Sequence, residues 1–144
     1  MRETLAATCL RFAGWRPGMP LVDPMCGSGT LVIEAAVRAA GFPPGRLRGF
    51  ACDGWSGPGR RDDAIAVDTI TLGNDLDGAV IASAQRNAER AGVSPQWTQQ
   101  NAAQLAAPSE RGLLVCNPPY GQRVESQDPY RVLGDLLKTT FAQW

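Results

Sequence analysis

The stretch Leu21-Val22-Asp23-Pro24-Met25-Cys26-Gly27-Ser28-Gly29-Thr30 decides the fold. A short apolar strand ends in an acid and turns through two glycines into the start of a helix. Glycine in such a turn takes backbone geometries closed to other residues and lets a ligand approach the main chain. The amides of Gly29 to Leu31 open the helix, where N–H groups lack intrahelical partners and carry the positive dipole end, so a carboxylate or phosphate suits that position. The competing reading is a plain strand-to-helix turn. Asp23, four residues before Gly27, argues against it.

Outward from this turn, Met19 to Val22 reads as a short buried strand and Thr30 to Ala40 as a helix. Ile33, Ala36, Val37 and Ala40 share one face of that helix, and Gly41 stops it. Before the strand, Arg2 to Ala13 carries Leu5, Cys9 and Phe12 at helical spacing and stops at Gly14, with Pro17 beyond. After the helix, residues 41–67 (GFPPGRLRGFACDGWSGPGRRDDAIAV) are dense in Gly, Pro and Arg without a sustained period, and read as an insertion with room for a short helix. Val67 to Leu72 reads as the second strand. Asp77 then caps a helix with Val80, Ile81, Ala84, Ala88 and Ala91 inward, closed by Gly92. Gln96 to Gln99 is a weaker third strand, and Leu113 to Cys116 a fourth that ends in Asn117-Pro118-Pro119-Tyr120-Gly121. Asp128 and Pro129 are cap and first residue of a last helix with Leu133, Leu136, Leu137 and Phe141.

About four strands separated by helices or long connections predict an α/β fold, a doubly wound parallel sheet with right-handed crossovers. No strand follows the last helix, which leaves one sheet edge and one helix face without cover. The chain is therefore expected to be part of a larger domain.

Composition removes several chemistries. The 144 residues hold 14 Lys+Arg, 14 Asp+Glu and no histidine, so neither a Ser-His-Asp nor a Cys-His nucleophile system can be assembled within the chain. Cys9, Cys26, Cys52 and Cys116 stand far apart with no C-x-x-C pair, which leaves a structural zinc site almost nothing to build from, and no metal is expected. With 44% hydrophobic and 19% charged residues the chain has material for a core. No run reaches the roughly 18 apolar residues of a membrane helix, and Arg2, Glu3 and Arg11 interrupt anything like a secretory signal, so no membrane partner and a cytoplasmic location are expected. Zero net charge predicts no strong nonspecific pull toward nucleic acid, so such a partner needs a local patch or another domain.

A nicotinamide-binding loop wants a third glycine where Val32 stands and an acid about 20 residues further on, and has neither. The next acid at a strand end is Asp75. A doubly wound sheet lays it beside the first strand, where a carboxylate can grip two ribose hydroxyls; it also reads as a helix-entry acid next to Asp77.

At Asn117-Pro118-Pro119-Tyr120-Gly121 each proline biases its predecessor toward extended geometry and stiffens the turn. The Asn117 side-chain oxygen and the Pro118 carbonyl can each accept a hydrogen bond, which suits a planar amino group with two N–H donors. Tyr120 offers a face for a base to stack on. A plain Pro-rich turn is the alternative.

At these motifs the chain resembles the class I S-adenosylmethionine-dependent methyltransferases that act on exocyclic amino groups. With DPMCGSGTLVIEAA, GNDLDGAV, NPPYGQRV and the insertion GRLRGFACDGW it is similar to the RlmL family, large-subunit ribosomal RNA guanine-N2 methyltransferases that join a THUMP RNA-binding domain to their catalytic domain. The resemblance implies a Rossmann-like sheet present as a partial, cofactor-binding half, residues 1–144, without the THUMP segment and the later strands. It implies that S-adenosylmethionine is the cofactor and ribosomal RNA the partner. Asp23, Met25, Gly27 and Gly29 would line its methionine and ribose part, Asp75 would hold the ribose hydroxyls and Leu76 would pack on the adenine. Asn101 stands where the family usually has an Asp that accepts from the adenine amino group; its amide oxygen can do the same. Asn117, Pro118 and Tyr120 would hold the guanine amino group, and the segment around Thr4 and Leu5 would close over the methionine end. Arg46 with Arg48, and Arg60 with Arg61, with Trp55 between them, read as an RNA contact or as solvated loop charges. Cys26 and Cys116 beside the two loops are read as packing residues, since nothing basic in the sequence is placed to lower a thiol pKa. Adenine amino groups in DNA and protein glutamine are alternative substrates of an Asn-Pro-Pro-Tyr site. A non-catalytic cofactor-binding module is the alternative for the fragment, which is expected to be inactive alone.

Overall fold

In the computed structural model, which describes residues 1–43, 65–119 and 128–144, a parallel sheet forms around β1 (Leu21–Asp23). The sheet also holds β2 (Thr71–Asp75), β3 (Gln96–Gln99) and β4 (Leu113–Leu114), in the order β3-β2-β1-β4. Most of the expected insertion, with its arginines and Trp55, lies outside the described residues, as does Tyr120. The helices are α1 (Glu3–Phe12), α2 (Thr30–Ala39), α3 (Gly78–Ala91) and α4 (Pro129–Lys138). Among the described residues no helix is long and apolar enough to cross a membrane.

The strand order matters more than the strand lengths. From β1 the chain steps through β2 to β3 on one side, then returns to lay β4 against the other side of β1. The connections therefore leave β1 in opposite directions, and a crevice opens between the carboxyl ends of β1 and β4, where open α/β sheets bind ligands. Register places Asp23 opposite Gly73, so Asp75 lies two residues past the end of β1, level with the turn that follows it.

Alternation along β1 feeds two cores. Leu21 joins Ala6, Leu10, Trp15, Leu31, Val32, Ala35 and Ala39 on the α1/α2 face. Val22 joins Leu72, Ala102, Leu105, Leu136 and Phe141 on the other. Each large side chain buried there contributes about 1.5 to 3 kcal/mol. Phe141 and Trp144 meet edge to face at 5.0 Å.

Several boundaries and faces differ from the sequence expectation. The second strand begins at Thr71, not Val67: β1 is three residues long and offers its first pairing partner to Thr71, and Val67 instead donates its N–H to the Ala39 carbonyl at the end of α2. The fourth strand spans two residues and extends its ladder by one bond, from Val115 N–H to the Val22 carbonyl, because β1 goes no further. In α1 the buried residues are Ala6 and Leu10, while Phe12 is 89% exposed. In α2 they are Leu31, Val32, Ala35 and Ala39 rather than Ile33, Ala36, Val37 and Ala40. Small alanines at Ala6, Ala35 and Ala39 let α1 and α2 approach closely, so volume rather than the larger apolar side chains selects the face. In α3, Ile81, Ala84 and Ala88 are buried and Val80 and Ala91 half-buried; in α4, Leu136 is buried and Leu137 46% exposed. The helix ends follow expectation. Asp77 accepts from Ala79 N–H at 2.8 Å, Asp128 accepts from Tyr130 N–H at 3.0 Å, and Gly92 closes α3 with φ +68°.

Candidate functional site

Asp23 ends β1 and is 2% exposed. It accepts from the Met25 N–H at 3.2 Å and from the Cys116 thiol. Burial dominates over these bonds and pushes its pKa up to about 7, with the like charge of Asp75 adding to the rise. The turn after it is held by bonds to β2 and α3. Cys26 N–H donates to the Asn74 carbonyl at 2.8 Å, Gly27 N–H donates to Asp75 Oδ2 at 3.0 Å, and the Asn87 amide of α3 donates to the Ser28 carbonyl at 3.0 Å.

The two glycines of the turn do different work. Gly27 has φ +54°, and a side chain built there would meet nothing within 4 Å, so its backbone faces open space that a ligand can occupy. Gly29 has φ +81°, and a Cβ there would lie 2.6 Å from Trp97 Cη2 and 3.0 Å from Ala84 Cβ. Its N–H is engaged by the Cys26 carbonyl at 2.9 Å. Contrary to the sequence expectation, Gly29 makes room for Trp97 and closes the turn, and its amide does not stand open to a ligand.

A cleft of about 110 Å³ lies at the carboxyl ends of β1 and β4, and Asp23, Met25, Gly27, Thr30 and Asn117 line it. The structure thus brings Asn117, expected at the substrate amine, together with three residues expected at the cofactor. Met1, just before α1, also lines this cleft, on the side where the opening segment is expected to close. Pro118, half-buried, follows Asn117 without lining it. Asp75 adjoins the cleft through Gly27; its Oδ1 also accepts from Asp77 N–H at 3.1 Å, and each oxygen keeps a lone pair for a further donor. Leu76 is 70% exposed beside it. Asn101 Oδ1 accepts from Ala103 N–H at 3.0 Å and caps the 3-10 turn Ala102–Gln104, so it has one lone pair left for a ligand. Leu76 and Asn101 stand outside the cleft, on the β2 and β3 side.

Cys26 and Cys116 are free thiols whose pKa values burial pushes up, with Asp23 adding to the rise, which favours the inert thiol at both places. Sequence reasoning missed Asn74 and Trp97. Asn74 is fully buried in β2, and Trp97 fills the space left by Gly29 and Gly73. The sequence reading ends the second strand at Leu72, whereas β2 runs on to Asp75 and so buries Asn74, whose amide then needs partners for every polar atom.

The arrangement fits S-adenosylmethionine in the chemistry of its donors: a buried acid for a cationic amino-acid end, an open Gly27 backbone, and a carboxylate at Asp75 with lone pairs to spare. Comparison with known proteins agrees. The family model described as UPF0020, RMKL-like, methyltransferase domain matches residues 1–144. A Synechocystis protein named "Putative RNA methyltransferase slr0064" is 36% identical across all of this chain and 42% of its own length. A Listeria monocytogenes crystal structure, described as a "predicted N6-adenine-specific DNA methylase", superposes with a TM-score of 0.78 at 32% identity, over 96% of this chain and 41% of that one. SMU.472, described as "a putative methyltransferase complexed with SAH", gives a TM-score of 0.72 at 31% identity, over 97% of this chain and 41% of that one. The chain spans about two fifths of the length of these relatives. It belongs to the RMKL-like methyltransferase-domain family.

Proposed function

We propose that this chain is the cofactor-binding half of an S-adenosylmethionine-dependent methyltransferase that modifies the exocyclic N2 amino group of a guanine in large-subunit ribosomal RNA. The observation that carries the reading is the cleft at the switch between β1 and β4, where Asn117 stands with Asp23 and Gly27. When bound, the cofactor supplies an electrophilic methyl group. The chain's own residues orient its partner. Asp23, Met25 and Gly27 hold the amino-acid end and Asp75 the ribose hydroxyls; Leu76 and Asn101 border the adenine. Asn117 Oδ1 and the Pro118 carbonyl accept the two N–H bonds of the incoming amine and favour it as positive charge develops. Tyr120 is assigned the stacking face. Alignment of the amine by Asn117 and the Pro118 carbonyl asks for no histidine, and this chain has none.

The RNA reading is supported by the name of the Synechocystis relative, and an adenine amino group in DNA by that of the Listeria protein. Mass spectrometry of ribosomal RNA from a deletion strain decides between them. Loss of one N2-methylguanine is expected, and an unchanged methylguanine pattern removes the ribosomal RNA assignment.

A further inference from the structure

Asn74 is a residue of low strand propensity placed in β2, with none of its surface exposed. An unpaired buried amide would be strongly unfavourable, yet this one is nearly saturated. Nδ2 donates to the Pro24 carbonyl at 3.0 Å and to the Gln100 carbonyl at 3.1 Å, and Oδ1 accepts from Thr98 Oγ1 at 2.9 Å. Two carbonyls on one side and a hydroxyl on the other fix which way the amide points. No other side chain of this size offers two donors and an acceptor: aspartate loses both donors, leucine loses all three bonds.

The partners are what give these bonds their meaning. Pro24 lies directly after Asp23, in the turn that carries Met25 and Gly27; Gln100 lies directly before Asn101. The side chain therefore spans from the turn after β1 to the segment after β3. Its own carbonyl takes the Cys26 N–H and fixes the same turn a second time. We propose that Asn74 is a positioning residue for the cofactor site, holding the wall that carries Asp23 and Gly27 in register with the wall that carries Asn101 through two side-chain donors. It touches no ligand. The inference rests on the cofactor reading of the cleft, and it assigns a role to a residue that reading does not use.

A ligand that reaches both walls gains affinity only if their separation is preset, because ordering them on binding subtracts from the gain. The test is Asn74→Ser in the full-length protein, with Thr98→Val beside it, measured by calorimetric titration with S-adenosylhomocysteine well below the unfolding midpoint and by initial rates. Asn74→Ser is expected to weaken S-adenosylhomocysteine by about tenfold and raise the KM for the methyl donor similarly, with kcat at saturation within about threefold. Thr98→Val keeps both Nδ2 bonds and is expected to stay within about threefold of wild type in affinity. A lower unfolding midpoint with unchanged affinity makes the residue merely structural and overturns the proposal. So does a Thr98→Val loss as large as that of Asn74→Ser, because the two donors would then not be the cause. If Asn74→Ser does not accumulate folded, Asn74→Asp, the same size without the two donors, takes its place under the same criteria. A wild-type protein that binds no S-adenosylhomocysteine removes the cofactor reading and the positioning role together, a result distinct from wild-type binding left intact by the substitution.

Discussion

The Gly27 N–H donates to Asp75 Oδ2 at 3.0 Å across 48 residues of chain, joining the turn after β1 to the end of β2. One carboxylate thereby fixes the loop that lines the cleft and still has lone pairs to spare. Register makes this possible, since Asp75 extends two residues past the end of β1 and meets the turn there.

Asp75→Ala removes the acceptor for both Gly27 and Asp77 and the proposed grip on the ribose. Binding of labelled S-adenosylmethionine is expected to fall by about a hundredfold or more, as charge-assisted hydrogen bonds contribute roughly 1.5 to 3 kcal/mol each. Asp75→Asn is expected to fall between wild type and alanine. Equilibrium dialysis checks both, and affinity within twofold of wild type for Asp75→Ala would contradict the role.

Asp23 predicts a pH dependence with a definite sign. Its folded pKa of about 7 lies above the ordinary carboxyl value of 3.8, so between the two the folded state holds a proton that the unfolded chain releases. The stability this lends is fully present below pH 3.8 and is lost as pH rises to about 7. Cofactor binding has the opposite sign, because the cationic amino-acid end favours the ionised carboxylate. Affinity is expected to strengthen between pH 6 and 8, flanking the pKa of about 7, while Asp23→Asn flattens both profiles. Chemical denaturation and ligand titration across that window test the two signs separately.

Turns and caps were legible in the sequence because each is a local bond. Asp77 to Ala79, Asp128 to Tyr130, and the αL glycine at Gly92 all close within a few residues. The parallel α/β sheet and the place of Asp75 beside β1 also followed. The pairing of β1 with β4, which brings Asp23 and Asn117 to one cleft, is a long-range contact and did not. Helix faces did not follow. In alanine-rich helices two neighbouring stripes both satisfy the spacing, and the partner's shape chooses between them, as Ala6 and Leu10 against Leu5 and Phe12 show. Asn74 escaped because its partners, Pro24 and Gln100, are 50 and 26 residues away.

Gly27 and Gly29 are separable by substitution. Gly29→Ala meets both a left-handed backbone and the Trp97 ring, and is expected to destabilise the fold by about 2 to 4 kcal/mol. Gly27→Ala meets open space and loses only about 1 kcal/mol from its backbone, yet the new methyl group enters the volume assigned to the cofactor. Thermal unfolding is expected to single out Gly29→Ala. Ligand titration of the folded proteins is expected to single out Gly27→Ala.

Asn117 shares its cleft with the cofactor residues but is assigned to the amine. Asn117→Ala is therefore expected to leave S-adenosylhomocysteine affinity within about threefold while lowering kcat by about a hundredfold or more, the loss typical of a donor or acceptor that acts on developing charge. Asn117→Asp keeps an acceptor and adds a charge next to buried Asp23, so it is expected to recover part of kcat and to raise the Asp23 pKa further, shifting the pH profile of binding upward. If Asn117→Ala instead weakened the cofactor and spared kcat, Asn117 would belong to the cofactor wall. The amine would then need another pair of acceptors.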